Sequence, residues 1–289
     1  MSKSSKSSGQ IELVVVVDNS TVRENLFPEH GLSFWIHDGE TDVLMDTGQG
    51  PAFAQNVAQL GIDLTSVEAV ILSHGHFDHT GGVGHLLALG VSPRILMHPD
   101  ATRRRYGCLQ MPPHKAIGMH EEIVAMLADR TENILSTTEP MQVSRHLCVT
   151  GPIPRRTSFE DVGGRFYVDA DCLVPDAIND DQAAWIETEK GIVVLLGCGH
   201  AGVVNTLDYV SKLSGANRFH AVIGGMHLLN ASPERMDATI AALKQYQVQL
   251  LAPCHCTGDT VMPLLAEQFP EQYTRSGAGS RFACRRRCP

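Results

Sequence analysis

Four side chains able to bind a metal lie within six residues, directly after the apolar run 67–72 (VEAVIL). They are His74, His76, Asp78 and His79. In an extended or turning backbone, His74 and His76 point the same way and can bind one cation, while Asp78 and His79 follow one turn later and can face a second. Neutral imidazoles and a carboxylate suit zinc, iron or manganese better than calcium or magnesium. A hydroxide shared between two such ions is a strong nucleophile at neutral pH.

The spacing H-x-H-x-D-H after a buried strand resembles the signature of the metallo-β-lactamase superfamily of metallohydrolases. The alternative, a polar turn that happens to hold three histidines, is less favoured by the full spacing. The resemblance covers residues 11–258 and implies an α/β fold, a four-layer αββα sandwich. We expect Zn²⁺ as the cofactor, one or two ions per chain, with iron or manganese as alternatives.

Composition excludes several classes of partner. The chain has 289 residues, 43% of them hydrophobic, with a net charge of −9 and a pI near 5.8. This charge argues against general affinity for nucleic acid or anionic membranes. No apolar run approaches the roughly 18 residues of a membrane span. We therefore expect a small-molecule substrate and a cytoplasmic protein.

The two ends of the chain carry no motif of their own. Residues 1–10 (MSKSSKSSGQ) lack the apolar core of a signal peptide and are expected to form a disordered tail. Residues 281–289 are expected to form a basic, cysteine-bearing tail beyond a single domain at 11–280. Without a secretion signal, we expect the eight cysteines to be free thiols.

Hydrophobic periodicity and turn residues predict the elements that position the motifs. Strands are predicted at 11–18, 32–37, 41–45, 67–72, 94–97, 185–189, 192–196, 220–223 and 248–252. Helices are predicted at 51–60, 84–89, 117–127, 203–213 and 233–246. The pattern loosens over residues 98–150, which we interpret as an insertion that caps the mouth of the site. Histidines follow the strands that end at Leu72, Leu196, Ile223 and Ala252.

The resemblance implies further site residues at these strand ends. Asp46 lies in the matching first motif and is expected to support the metal site without binding the ion. His200 is the candidate third ligand, and His255 the candidate last ligand. The superfamily's bridging aspartate has no counterpart, because the matching strand ends in Gly-Cys-Gly-His. Three explanations stay open: Cys198 substitutes, an acid such as Asp180 or Asp181 comes from elsewhere, or only one ion is held tightly.

His227 follows two glycines and is a candidate substrate-contacting or acid–base residue, with metal binding as a lesser option. Asp78 is expected to help bind and orient the nucleophile. The motifs GCGHAG, GGMHLL and PCHCTG narrow the resemblance to a subfamily of dihydropterin-ribofuranosylaminobenzene phosphate synthase-like proteins. That resemblance is good support for a shared fold and shared metal binding. It is poor support for a shared reaction, because one fold hosts many chemistries.

Two arginine clusters are candidates to bind an anionic group, since guanidinium matches phosphate geometry. They are Arg103, Arg104 and Arg105 in one segment, and Arg155 and Arg156 in another. Neighbouring side chains point apart, so at most one or two per cluster should face the site. The alternative is solvated surface arginines paired with nearby acids such as Glu160 and Asp161.

The first hypothesis for function is a metal-dependent hydrolase that uses a metal-bound hydroxide on a small, anionic or phosphorylated substrate. The second is the pterin-linked synthase implied by the subfamily, a transferase that releases pyrophosphate. A non-catalytic metal or redox sensor using the thiols is a third. A nuclease of the same fold is a fourth, weakened by the acidic net charge.

Overall fold

Two β-sheets packed face to face form the centre of the structure, a computed structural model that describes residues 9–108 and 110–287. The first sheet has seven strands in the order β16-β1-β2-β3-β4-β5-β8, and the second has six in the order β15-β14-β13-β12-β10-β9. A third, three-stranded sheet has the order β11-β6-β7. With helices on both outer faces, this is the four-layer αββα sandwich expected from the sequence.

The strands are β1 Gln10–Val17, β2 Ser33–His37, β3 Asp42–Met45, β4 Val67–Ile71, β5 Arg94–Met97, β6 Tyr106–Gly107, β7 Lys115–Ala116, β8 Ile134–Ser136, β9 Met141–Gln142, β10 Leu147–Val149, β11 Phe166–Tyr167, β12 Ala184–Thr188, β13 Gly191–Leu196, β14 Phe219–Gly225, β15 Leu250–Cys254 and β16 Arg281–Arg285. The helices are α1 Pro51–Leu60, α2 Phe77–Thr80, α3 Val83–Ala88, α4 Glu121–Ala128, α5 Val203–Ser214, α6 Pro233–Gln245 and α7 Met262–Gln268. Every predicted strand and helix is present, with ends that differ by a few residues. Among the described residues, no helix is long and apolar enough to cross a membrane.

Side-chain alternation along the strands builds three apolar layers. In β1, Leu13 and Val15 pack between the two sheets, whereas Val14 and Val16 pack against the helices of the first sheet. The side chains of β13 alternate in the same way between the layer that separates the two sheets and the layer under α5 and α6. Successive side chains of a strand point to opposite faces, so both faces of each sheet are covered.

The parallel strands bring the loops that carry the candidate site residues to one edge of the sandwich. Strand β4 pairs in parallel with β3 and β5, and β14 pairs in parallel with β13 and β15. The carboxyl ends of parallel strands meet at the same edge of a sheet. The loops after β3, β4, β13, β14 and β15 therefore converge there.

The predicted insertion at residues 98–150 is wrong in extent. Strand β8 extends the first sheet beside β5, and β10 pairs with β12 in the second. Helix α4 is also integral, because Ile123 and Leu127 are buried in the apolar layer of the first sheet. The cap instead consists of the third sheet, whose strands come from the segments 99–119 and 151–181.

Two predictions about the ends of the chain and the thiols also need correction. Residues 281–289 are not a tail beyond the last strand, because Arg281–Arg285 forms β16 and pairs antiparallel with β1. Of the predicted N-terminal tail, Gln10 belongs to β1, and residues 1–8 lie outside the described residues, as does Cys288. The expectation of free thiols is wrong for Cys108 and Cys172, which form a disulfide.

Candidate metal centre

The loop after β4 carries the four predicted ligands into the edge between the sheets. His76 has an extended backbone and starts the single-turn helix α2, so Asp78 and His79 follow on a tight turn. All four side chains are at least 94% buried. A histidine-rich loop with so little exposure is unusual for a surface turn, since buried ionisable groups need partners.

Three imidazoles converge on the first candidate ion position. The ring centres of His74, His76 and His200 lie 4.5 to 5.0 Å apart, and one nitrogen of each falls within 4.8 Å of the others. The Nε2 atoms of His76 and His200 are buried and have no hydrogen-bond partner among the described residues. The other nitrogen of His200, Nδ1, lies 2.8 Å from the carbonyl oxygen of Val162, which fixes the ring. Buried, unpaired nitrogens aimed at one point fit a metal ion.

A second candidate position lies beside Asp78. Its carboxylate Oδ2 is 3.6 Å from Nε2 of His255 and 3.2 Å from Nε2 of His30. His255 follows β15 with a positive φ of 50°, and its amide donates to Asp18. Its Nδ1 lies 2.9 Å from Oδ1 of Asn19, so Nε2 faces the site.

His79 and Cys198 lie between the two positions. Nε2 of His79 is 3.1 Å from Sγ of Cys198 and 3.2 Å from Nε2 of His255. Asp46 accepts hydrogen bonds from the amide and hydroxyl of Ser73, and its Oδ2 lies 2.7 Å from Nδ1 of His79. Because the Asp46 carboxylate contacts Nδ1 of His79, the other ring nitrogen, Nε2, faces the centre. The thiol of Cys198 thus occupies the region where a bridging acid was missing from the sequence.

Burial and neighbouring charges set the protonation of these groups. Burial lowers the pKa of His74, His200 and His255 well below the ordinary value, and that of His76 to about 3. Neutral imidazoles keep a lone pair for a metal. Burial alone would raise the pKa of Asp78, but His79 and the hydrogen bond from His30 outweigh burial and lower this pKa well below its ordinary value, so the carboxyl is ionised.

His79 and Cys198 would release protons on binding an ion. Burial lowers the pKa of His79, but the Asp46 and Asp78 carboxylates outweigh it and raise the pKa to about 9. Burial, reinforced by Cys256, raises the pKa of Cys198 well above its ordinary value. A metal ion stabilises the deprotonated form of each such ligand, so binding is coupled to proton release.

A buried ion pair supports the metal loop, which is the loop after β4 that carries the four candidate ligands. Oδ2 of Asp180 accepts from the amide of Gly75, which lies between two candidate ligands, at 2.8 Å. The two carboxylate oxygens of Asp180 also accept from Arg105 at 2.9 and 2.6 Å, and Asp176 pairs with Arg105 Nε at 2.8 Å. Only glycine fits at position 75, because a Cβ there would lie 1.9 Å from the carbonyl oxygen of Ala101.

The neighbouring Asp181 supports the loop that carries His200. Its Oδ2 accepts from the amide of Ala201, next to His200, at 2.6 Å. Burial raises the pKa of this carboxyl to about 7. Asp180 and Asp181 therefore support the two ligand loops, and neither belongs to the groups of converging ligand atoms.

The predicted substrate-binding arginines other than Arg105 contact other protein groups or solvent. Arg104 is exposed and pairs with the exposed Glu121, and Arg103 lies 3.6 Å from Asp100. Arg155 donates to the carbonyl oxygens of His200 and Ala177, and so links the backbone of these two segments. Arg156 is exposed. Their contact with a substrate stays a prediction.

His227 adjoins the first ion position, with its ring centre 4.5 Å from that of His200. Its Nδ1 is buried and unpaired among the described residues, and its backbone has a positive φ of 44°. Phe166, from the cap, covers the mouth, with its ring 5.3 Å from His76 and 5.4 Å from His200.

Sequence reasoning missed three contributors. His30 lies in the loop between β1 and β2, and no strand end points to it. The support by Asp180 and Arg105 spans 75 residues of sequence, so no local pattern could reveal it. One signal was available for Arg105, because at most one or two of three adjacent arginines can point inward.

The geometry and the donor set agree with comparisons to known proteins. A family model described as the metallo-beta-lactamase superfamily matches residues 26–204. The chain belongs to the metallo-β-lactamase superfamily. Among curated relatives, the 7,8-dihydropterin-6-methyl-4-(beta-D-ribofuranosyl)-aminobenzene-5'-phosphate synthase of Methanocaldococcus jannaschii is 30% identical over 262 residues. That match covers 87% of this chain and 88% of the relative.

Members of this superfamily also resemble the chain in three dimensions. Tm1679, described as a metal-dependent hydrolase of the beta-lactamase superfamily, superimposes with a TM-score of 0.78 at 28% identity. The match covers 94% of this chain and 98% of Tm1679. In sequence, an uncharacterized Methanocaldococcus jannaschii protein is also similar, with 28% identity in a match that covers 88% of this chain and 93% of that protein. The metallo-β-lactamase fold expected from the sequence is thus confirmed over nearly the whole chain.

Proposed function

We propose that this protein is a metal-dependent hydrolase that acts on a small anionic substrate. Zinc is the proposed metal, one or two ions per chain, held by His74, His76 and His200 and by Asp78 and His255, with His79 and Cys198 between them. The observation that carries the proposal is the convergence of buried imidazoles, of which His76 and His200 each have an Nε2 atom without a hydrogen-bond partner among the described residues. Bound ions would polarise a carbonyl or phosphoryl group and activate water at neutral pH.

The chain's own residues supply orientation and water exclusion. Asp46 fixes His79 through a 2.7 Å contact, and Phe166 covers two of the candidate ligands. Asp78, ionised and buried, can accept a hydrogen bond from an attacking water. Burial and the charge of Arg235 lower the pKa of His227 to about 4. His227 is therefore neutral at pH 7 and can bind substrate or accept a proton during the reaction.

An anionic substrate is supported by positive charge behind the wall of the site. Arg235 is 1% exposed, and its Nη1 donates to Asp161 at 2.6 Å. Its Nε and Nη2 have no hydrogen-bond partner within the described part of the chain. Asp161 also accepts from Gly163, whose backbone lies against the ring of His227. The charge of Arg235 contributes to the low pKa of His227 although Asp161 pairs with it, so it would also favour a negative substrate group at the site.

The hydrolase proposal is tested by metal analysis followed by a screen of phosphoesters, lactones and thioesters. We expect His76→Ala and His200→Ala to lose metal and activity together. His85→Ala is the matched control, because His85 is exposed on α3 and belongs to no candidate ligand group. Full metal content in His200→Ala, or equal losses in His85→Ala, would contradict the site assignment.

A synthase is the second candidate, and the 30% identity to the dihydropterin-linked synthase over 87% of the chain favours it. In this case the centre would bind a dihydropterin activated at its 6-methyl carbon and a ribofuranosylaminobenzene phosphate, the two parts joined in that relative's product. The test supplies both compounds, with the activating group as a diphosphate, and follows joined product and pyrophosphate by mass spectrometry. Coupling without net hydrolysis supports the synthase, and hydrolysis of simple esters without coupling supports the hydrolase.

A further inference from the structure

A second group of metal-binding side chains lies in the cap, outside the metal centre. Cys108 follows β6, His114 precedes β7, and Cys172 lies in the loop after β11. The two sulfurs and one ring nitrogen of His114 lie within 4.8 Å of one another. All three side chains are half-buried. The two sulfurs are joined here in a disulfide, and on reduction they and the imidazole would form a donor set typical of zinc.

The histidine of this group has no other visible role. Its Nδ1 is shielded from solvent and has no hydrogen-bond partner among the residues that the structure describes. A buried ring nitrogen without a partner is uncommon in a folded protein and needs an explanation. A ligand bound beside the two sulfurs would supply one.

Hydrogen bonds hold the loops of this group in place independently of the disulfide. The amide of Cys108 donates to the carbonyl oxygen of Arg165, across the β6–β11 pairing. The carboxylate of Asp169 accepts from the amides of Leu173 and Val174, which closes the loop around Cys172. Strand β7, which follows His114, pairs with β6, so the three side chains should stay close when the sulfur–sulfur bond is broken.

We propose that Cys108, His114 and Cys172 form a second metal site, available when the disulfide is reduced, for a borderline or soft divalent ion such as Zn²⁺. In a reducing compartment, two equivalents of a small thiol reduce the disulfide and leave as their own disulfide, while each cysteine sulfur gains a proton. Zinc then binds the two sulfurs as thiolates and the neutral imidazole, and two protons pass to solvent. The ion itself is neither oxidised nor reduced.

The site would exert its effect through the cap strand that covers the metal centre. Phe166, at the start of β11, contacts both His76 and His200, and the same strand leads to the loop of Cys172. Either the disulfide or the zinc ion would join this loop to the end of β6. The cap is thus cross-linked in oxidising and in zinc-containing reducing conditions, and loses its cross-link only when it is reduced and metal-free.

The experiment compares zinc content in two redox states of the full chain. Protein is either oxidised with glutathione disulfide or reduced with a dithiol, then freed of reagent without oxygen, equilibrated with zinc and desalted. Thiol titration establishes the state, and mass spectrometry gives the zinc content. We expect reduced protein to hold one zinc ion more per chain than oxidised protein, because the thiols of the metal centre are free in both states.

Variants separate the cap site from the metal centre. The additional ion should be lost in His114→Ala, which keeps the disulfide and so leaves the oxidised protein unchanged. It should also be lost in Cys172→Ser, and it should persist in Cys148→Ser, a free and half-buried cysteine on β10. Equal zinc in the two states of the wild-type protein, or a full additional ion in His114→Ala, would overturn the proposal.

Discussion

Replacing Arg105 with methionine should weaken both the fold and the metal loop, whereas the same change at Arg104 should do neither. Arg105 is 2% exposed and is the charge partner of two buried carboxylates, Asp176 and Asp180. Methionine keeps much of the side-chain volume but removes all the donors. Asp180 would then be left with the amide of Gly75 as its remaining visible hydrogen-bond donor.

The magnitude follows from the burial of the pair. Removing one partner of a buried ion pair costs about 3–5 kcal/mol, because it leaves an uncompensated charge. Two carboxylates lose their partner here, and protonation of one would limit the cost, so we expect a loss of about 3–4 kcal/mol in the free energy of unfolding. Displacement of Gly75 should also lower zinc affinity by about 10- to 100-fold, as for other residues that orient ligands. The exposed pair of Arg104 with Glu121 should contribute about 0–1 kcal/mol.

Urea unfolding gives the free energy, and competition with a chromophoric chelator gives the zinc affinity. Arg104→Met is the matched control, since it makes the same chemical change one position earlier. Arg105→Lys should recover part of the stability, because it restores the charge without the bidentate geometry. Arg105→Met with the stability and zinc affinity of Arg104→Met would refute the reasoning that Asp180 and Arg105 hold the loop.

Four further predictions test other parts of the account. Arg235→Met should raise KM for a phosphorylated substrate several-fold and leave KM for an uncharged ester unchanged; equal effects on both would contradict the role of its charge. Cys198→Ser should lower affinity for zinc more than for manganese, because thiolates favour softer ions; equal losses, measured by competition, would argue against a thiolate ligand. Burial, aided by the hydrogen bond to Asp208, raises the pKa of Tyr246 to about 12. The stability that this shift contributes is fully present below pH ~10 and is lost as the pH rises through 12, so urea unfolding in that range should be less pH-dependent in Tyr246→Phe than in the wild-type protein. Deleting residues 281–289 should lower the free energy of unfolding, because it removes the strand paired with β1, and leave metal content unchanged; metal loss in folded protein would contradict this.

The fold was largely predictable because the signals were local. Strand β4 and its ligand loop combine a short apolar run with a dense motif, and helix α1 begins with proline and ends before glycine. The elements that were misassigned have weak local signals. Strand β16 has an arginine at each end and lies in a basic segment, and its identity depends on pairing with β1, about 270 positions earlier.

The convergence of the loops that carry the candidate ligands was predictable, and the contacts that support these loops were not. His200 and His255 follow strands, and parallel strands bring their ends together. His30 and Arg105 reach the centre through tertiary contacts with Asp78 and Asp180. The proximity of Cys108 to Cys172 depends in the same way on the pairing of β6 with β11. Such contacts between distant segments are set by the whole fold, so spacing along the chain does not reveal them.

Anomalous X-ray diffraction from crystals of the protein loaded with zinc would show whether ions bind at the candidate metal centre. Data collected above and below the zinc absorption edge locate the ions without reference to activity. We expect a peak bounded by His74, His76 and His200, and, if a second ion binds at the centre, another beside Asp78 and His255. Zinc found only at other positions, or none at this mouth in fully loaded protein, would contradict the account.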